Sequence, residues 1–119
     1  MNVILSLAGR RWSPWAVVRH RGRKTGRALS VPIVAIPTDH GFVVNLPWGA
    51  GTNWVRNVLA AGGCTIRRRG VDHRVDNPEI IDEATARPYY SRIAWLIARK
   101  LFPADAWLRV QVVPPTPWG

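Results

Sequence analysis

The sequence of 119 residues has a single cysteine, Cys64, so no internal disulfide can form. No CxxC or Cys/His spacing surrounds it, which leaves neither a disulfide scaffold nor a zinc site and fits a reducing cytoplasm. Acids are also scarce. Among the seven Asp and Glu residues, Asp82 and Glu83 are adjacent and would point to different sides of a helix, so no convincing carboxylate pair for hydrolysis exists. Ser6, Ser13, Ser30 and Ser91 lie outside any GxSxG context, and His20, His40 and His73 show neither triad nor metal spacing. No apolar run approaches the ~20 residues that span a bilayer. The opening stretch, residues 1–9, is apolar, but its cations Arg10 and Arg11 follow it instead of preceding it, unlike an export signal. Residues 1–14 therefore read as a short helix or arm, able to touch a membrane surface.

Cations are abundant. Lys and Arg number 17 against seven acids, a formal net charge of +10, and only Lys24 and Lys100 are lysines. Arginine grips phosphate and carboxylate with two parallel hydrogen bonds and stacks on flat rings, so this excess points to an anionic partner. A GC-rich coding bias would produce the same excess. With 47% apolar and 20% charged residues the chain is an ordinary globular one, and its length predicts one domain over residues 1–119, ending in a Pro-rich tail at 114–119.

Short β-branched runs at 15–20, 29–36 and 42–46 predict three strands joined by the turn residues of 21–27 and 37–41. Pro32 cannot donate to a ladder, which predicts an edge, a bulge or a ligand-facing position. Thr52 or Asn53 is placed to cap a helix over 54–61, which Gly62 and Gly63 end. A second hairpin is expected from 64–69 and 71–75 around Gly70. In 86–101 the residues Tyr90, Ile93, Ile97 and Leu101 recur at spacings of three and four, predicting a long amphipathic helix with that stripe inward and Pro88 in its first turn. A last strand covers 107–113. The order β-β-β-α-β-β-α-β predicts a mainly β (α+β), largely antiparallel barrel, open or closed, with a helix after the third strand and a longer C-terminal helix.

Two segments suit a ligand. Gly-Arg-Lys-Thr-Gly at 22–26 offers turn amides, two cations and a hydroxyl, chemistry for phosphate, although the GxxxxGK[ST] spacing of a Walker loop is absent and a solvated hairpin tip would read the same. Residues 45–57 carry a Gly/Pro loop into a helix N-terminus beside Trp48, Trp54 and Arg56, which would suit a flat heteroaromatic with an anionic tail. Simple packing of Trp54, Val55, Val58 and Leu59 on the barrel is the competing account, one that explains Asn53 and Asn57 less well.

Taken together, the turn at 22–26, the following Val31-Pro32, the loop at 49–52 and Asn53-Trp54-Val55-Arg56-Asn57 resemble the deazaflavin-dependent nitroreductase family. The likeness covers residues 17–75 well and the C-terminal helix loosely. It implies a split β-barrel that binds coenzyme F-420, or less readily FMN, and passes hydride from reduced F-420 to a nitro, quinone or enone-type small molecule. By that resemblance Arg23, Lys24 and Thr25 hold the phosphate and polyglutamate tail. Leu29, Ser30, Val31, Pro32, Ile33 and Val34 line the deazaflavin edge, Asn45, Leu46, Pro47 and Trp48 cover it, and Asn53, Trp54, Val55, Arg56 and Asn57 form the helix start. Tyr89 and Tyr90 fall where the family's last helix presents phenols to substrate, while Tyr90 also belongs to the apolar stripe. Many relatives carry lysine or serine where this chain has Pro47-Trp48-Gly49. No metal ligand is implied.

The runner-up is a basic single-stranded nucleic-acid-binding barrel, since cationic grooves interleaved with aromatics serve that purpose. A third reading is a non-catalytic binder of flavin-like, haem or fatty-acyl ligands. Either a monomer or a homodimer is compatible with the sequence.

Overall fold

A computed structural model describes residues 15–114. The strands are β1 (Trp15–Arg21), β2 (Ala28–Pro37), β3 (Gly41–Asn45), β4 (Gly63–Arg68), β5 (Val71–Ile81) and β6 (Trp107–Val112). Helix α1 (Asn53–Ala61) follows β3, and α2 (Glu83–Ala86), a 3₁₀ turn (Arg87–Tyr89) and α3 (Arg92–Leu101) separate β5 from β6. All strand pairs are antiparallel, in the ring order β1-β2-β3-β6-β5-β4, and β4 closes on β1 through Val17↔Arg67 to Arg19↔Thr65. The expected antiparallel barrel is present, with the expected helix after β3.

The barrel is not equally tight all round. β2 pairs with β1 from Ala28 to Val34 but meets β3 only over Ala35, Ile36 and Pro37. Its 28–34 stretch therefore keeps one edge unpaired, and Pro32 falls there, as its missing N–H requires. Within the barrel, Val18, Ile66, Val75, Leu108 and Val110 meet Val55 and Val58 of α1. Each such side chain, fully buried, contributes about 1.5–3 kcal/mol. β3 is buried along its whole length because its other face is covered too: Val43 packs with Ile81, Tyr90, Trp95 and Trp107 in a second cluster outside the barrel. The close approach of β3 to β6 depends on Gly41, where a Cβ would run into the Val110 carbonyl.

Two expectations need correction. β5 does not stop at Val75. Asp76-Asn77-Pro78 reads as turn chemistry, but Asn77 takes a positive φ of 53° and the pairing with β6 slips between Asp76 and Glu79, a bulge that lets the strand run on to Ile81.

The long helix over 86–101 is in fact two short helices and a 3₁₀ turn. Pro88 sits in the 3₁₀ turn, Tyr90 is extended (φ −102°, ψ 142°), and Ser91 restarts the chain as an N-cap whose Oγ accepts from the Ala94 N–H at 3.1 Å. The expected inward stripe also divides. Tyr90 is buried, whereas Ile93, Ile97 and Leu101, with Leu96, are between 51% and 72% exposed. α3 instead packs through Trp95, flanked by Ala94 and Ala98. One large ring between small residues lets the helix approach closely enough for Trp95 to stack on Trp107 (5.6 Å, 21°) and to meet Tyr90 edge-on (5.2 Å). Among the described residues no helix is long and apolar enough to cross a membrane. The arm at 1–14 and most of the Pro-rich tail lie outside the described residues.

Candidate functional site

The unpaired edge of β2 borders a cavity of about 170 Å³. Val31, Pro32, Ile33 and Val34 form one wall, Asn45, Leu46, Pro47, Trp48 and Gly49 another, and Thr52 and Trp54 bring the start of α1 to it. Trp15 and Phe102 complete the lining, their rings meeting edge-on at 5.6 Å. The loop holds its shape through backbone contacts: Leu46 N–H donates to the Ala106 carbonyl, and Gly49, at φ 82°, donates back to the Leu46 carbonyl at 2.9 Å. Trp48 stands outward, 84% exposed.

Polar groups in this slot are few. Asn45 is buried and its Nδ2 donates to the Phe102 carbonyl at 2.9 Å, tying β3 to the end of α3. Thr52 occupies the N-cap of α1 without capping it, and its Oγ1 is buried with no partner. No acidic side chain stands in the first turn of α1. An uncapped helix start and an orphaned hydroxyl beside an apolar slot are suited to a ligand that carries acceptor atoms.

The basic turn lies along the same two elements. Gly22 N–H donates to the Arg27 carbonyl at 2.9 Å and Gly26 N–H to the Gly22 carbonyl at 2.8 Å, with Gly26 at φ 72°. Thr25 Oγ1 accepts from the Arg27 N–H at 3.3 Å, and Arg21 Nη1 donates to the Gly26 carbonyl. Arg23 reaches into α1, where its backbone N–H (3.1 Å) and Nη1 (2.8 Å) both donate to Asn57 Oδ1. Asn57 is 3% exposed, and its Nδ2 lies 3.1 Å from Nδ1 of buried His20 on β1. Burial pushes the His20 pKa below its usual value, which favours the neutral ring. Lys24 and Arg27 extend from the turn into solvent.

No family model matches the sequence, and no curated protein does. Among solved structures, a Mycobacterium protein described as a domain-swapped dimer is similar over 86% of this chain and 81% of that one, with a TM-score of 0.59 and 13% identity. The likeness is one of fold.

The slot thus gathers nine of the residues singled out from the sequence: Val31, Pro32, Ile33, Val34, Asn45, Leu46, Pro47, Trp48 and Trp54. Others sit elsewhere. Leu29 and Ser30 line a wide groove with Arg19, His20, Arg21 and Arg74. Val55 is fully buried in the barrel core, so packing against the strands is its contact. Asn53 and Arg56 are exposed on α1, and Asn57 is committed to Arg23 and His20. Arg23, Lys24 and Thr25 form the exposed turn.

Neither tyrosine lines the slot. Tyr89 accepts from Arg109 Nη1 at 3.2 Å through its hydroxyl, and Arg109 in turn pairs with Glu79 at 3.2 Å. Tyr90 is in the outer core, where burial pushes its pKa up to about 12. Burial likewise raises the Cys64 thiol to about 11 against the opposing charge of Arg74, which makes it a poor nucleophile. His20, Thr52, Trp15 and Phe102 escaped the sequence reading as site residues. For His20 a signal existed: it continues the inward period of two set by Ala16 and Val18. For Phe102, 57 residues from its partner Asn45, no local signal exists.

Proposed function

We propose that the chain is a deazaflavin-dependent oxidoreductase that takes hydride from reduced coenzyme F-420 and delivers it to a nitro, quinone or enone-type small molecule. The observation that carries this reading is the alignment of an apolar slot with a cationic turn. β2 runs from Ala28 beside the turn to Val34 in the slot, while α1 runs from Thr52 at the slot to Asn57 at the turn. Asn53 to Asn57 spans about 6 Å of helix rise, so a ring and a charged tail of one molecule can engage both ends.

When bound in its reduced form, F-420 supplies the hydride. The chain's residues bind and orient it: Val31, Pro32, Ile33 and Val34 offer an edge with free backbone groups, and Thr52 Oγ1 with the first amides of α1 offers donors for ring oxygens. Arg23 and Lys24 offer cations for phosphate and carboxylates. Pro47 and Trp54 wall the slot, and Trp48 stands at its rim. FMN, with one phosphate and no anionic tail, uses the turn less.

The nucleic-acid reading draws less support, because Trp95 and Trp107 stack on each other and Trp15 meets Phe102, leaving few open stacking faces among the described residues. A homodimer is supported by the outward apolar residues of α3 and by the described state of the Mycobacterium neighbour.

The test is a titration with oxidised F-420 followed by tryptophan quenching, with FMN and a single-stranded oligonucleotide as comparators at low and moderate salt. Saturable binding of F-420 alone is expected. Failure to bind F-420, with tight and steeply salt-dependent oligonucleotide binding, would overturn the reading.

A further inference from the structure

We propose that neutral His20 acts through Asn57 as the positioning residue of the basic turn, holding Arg23 ready for an anionic group and releasing it when the imidazole takes a proton. The inference rests on the reading above, in which the turn receives an anion.

The hydrogen-bond roles leave one solution. Arg23 presents only donors to Asn57, its backbone N–H and its Nη1, at 3.1 and 2.8 Å. Asn57 must therefore turn its carbonyl oxygen to Arg23 and its amide nitrogen to His20. That nitrogen can only donate, so His20 Nδ1 must hold a lone pair and the ring must be neutral with its proton on Nε2. A protonated His20 would set an N–H against the Asn57 amide N–H₂. Rotating the Asn57 amide would cure that conflict and create a worse one, since the N–H₂ group would then face both Arg23 donors.

The groups around His20 agree with a neutral ring. Arg19 and Arg21 flank it on β1, Gly63, Cys64 and Thr65 of β4 and Arg74 of β5 share its groove, and Ala28, Leu29, Ser30 and Ala61 complete the lining. No acid is among them, and Asp72 is taken up by Arg19 and Arg67.

This arrangement makes a prediction opposite in sign to simple charge attraction. Adding a proton beside an anion site ordinarily tightens anion binding. Here it removes the pin that preorganises Arg23, so binding loosens as the pH falls.

The first experiment is an NMR titration of the wild-type protein without ligand, from about pH 7.5 to pH 5, a range that spans and extends below the ordinary imidazole pKa. The Arg23 backbone amide is expected to move with the same midpoint as the His20 ring. The second measures F-420 affinity over the same range for wild type, His20→Gln, whose Oε1 accepts from Asn57 without titrating, and His20→Leu, which accepts nothing. Wild type and His20→Gln should bind equally at the upper end and differ by about tenfold at the lower, with wild type weaker, the scale of one lost charge-assisted bond. His20→Leu should be weaker throughout. Comparing wild type with His20→Gln cancels the ligand's own titration.

An Arg23 amide indifferent to the His20 titration, or a wild type that gains on His20→Gln as the pH falls, overturns the proposal. Co-titration of Arg23 with His20 in a protein that binds no F-420 would uphold the positioning role and sink the cofactor reading. F-420 binding with an indifferent Arg23 amide would do the reverse.

Discussion

Replacing Asn57 by leucine keeps the side-chain volume while deleting every polar contact between α1 and the basic turn. Three hydrogen bonds vanish: those from Arg23 N–H and Nη1 to Oδ1, and that from Nδ2 to His20. The Arg23 guanidinium is exposed and recovers water, so its share is small. The Arg23 amide and His20 Nδ1 lose partners in a part-buried to buried setting, at about 1 kcal/mol or more each. The expected loss is about 2–3 kcal/mol, a large share of the ~5–15 kcal/mol that holds such a domain folded. In urea, with a slope of about 1–3 kcal/mol per molar, the midpoint should fall by about 1–2 M. Asn53→Leu, on the exposed side of the same helix, is the control and should shift it by less than about 0.5 M. Asn57→Asp keeps both Arg23 bonds and puts a carboxylate beside His20. The folded-state pKa of His20 then rises, so this variant's deficit should shrink as the pH drops below the ordinary imidazole value. An Asn57→Leu midpoint within the Asn53→Leu range would show that these bonds do not hold the turn to the barrel.

If the turn grips the ligand tail, Arg23→Ala combined with Lys24→Ala weakens F-420 binding by more than about tenfold, at about 1.5–3 kcal/mol per charge-assisted bond; an unchanged Kd separates the turn from the ligand. Burial raises Cys64 to about 11, so between its ordinary value of 9.0 and that pKa the unfolded chain sheds a proton that the folded chain keeps, and stability falls as the pH rises. Cys64→Ala should flatten that part of the stability profile, and identical alkaline slopes would contradict the burial argument. Gly41→Ala drives a Cβ into the Val110 carbonyl and should cost at least about 3 kcal/mol. By contrast Gly26→Ala, with open space and only a positive φ against it, should cost about 1 kcal/mol, both losses being read from urea midpoints. Ile93→Asp with Ile97→Asp, both on the outward face of α3, should leave the Tm nearly unchanged and reduce a sedimenting dimer to a monomer; an unaltered sedimentation coefficient would remove this face as the contact.

What the sequence revealed about the fold was mostly local. Turn residues at 22–26 and 37–41 announced hairpins, Gly62 at φ 75° closed α1 as expected, and Pro32 marked an edge that turned out to be the barrel's open side. The errors came where a local rule met a non-local partner. Asp76-Asn77-Pro78 has turn composition, yet pairing with β6 on either side makes a bulge cheaper than ending the strand. The Ile93, Ile97 and Leu101 stripe has the stronger periodicity on α3, yet the Trp95 face wins because Trp107, twelve positions away in sequence, offers a flat ring to stack on at 5.6 Å.

 

The candidate site shows the same division between local and distant signals. The turn at 22–26 and the run Asn53-Trp54-Val55-Arg56-Asn57 each look like a separate ligand site in the sequence, because each combines polar side chains with available backbone amides. In the fold they are one hydrogen-bonded unit, since Asn57 Oδ1 accepts twice from Arg23 across a separation of 34 residues. Their joint presence therefore has a folding cause that needs no ligand: a turn crowded with Arg21, Arg23, Lys24 and Arg27 repels itself and must be tied down, and a buried amide that offers its oxygen to Arg23 does so without adding a negative charge. A carboxylate at position 57 would hold Arg23 at least as firmly but would neutralise part of the field that attracts an anion. Asparagine thus fixes Arg23, gives His20 a donor that aspartate lacks, and leaves the positive field of the turn intact, as the proposed anion site would need.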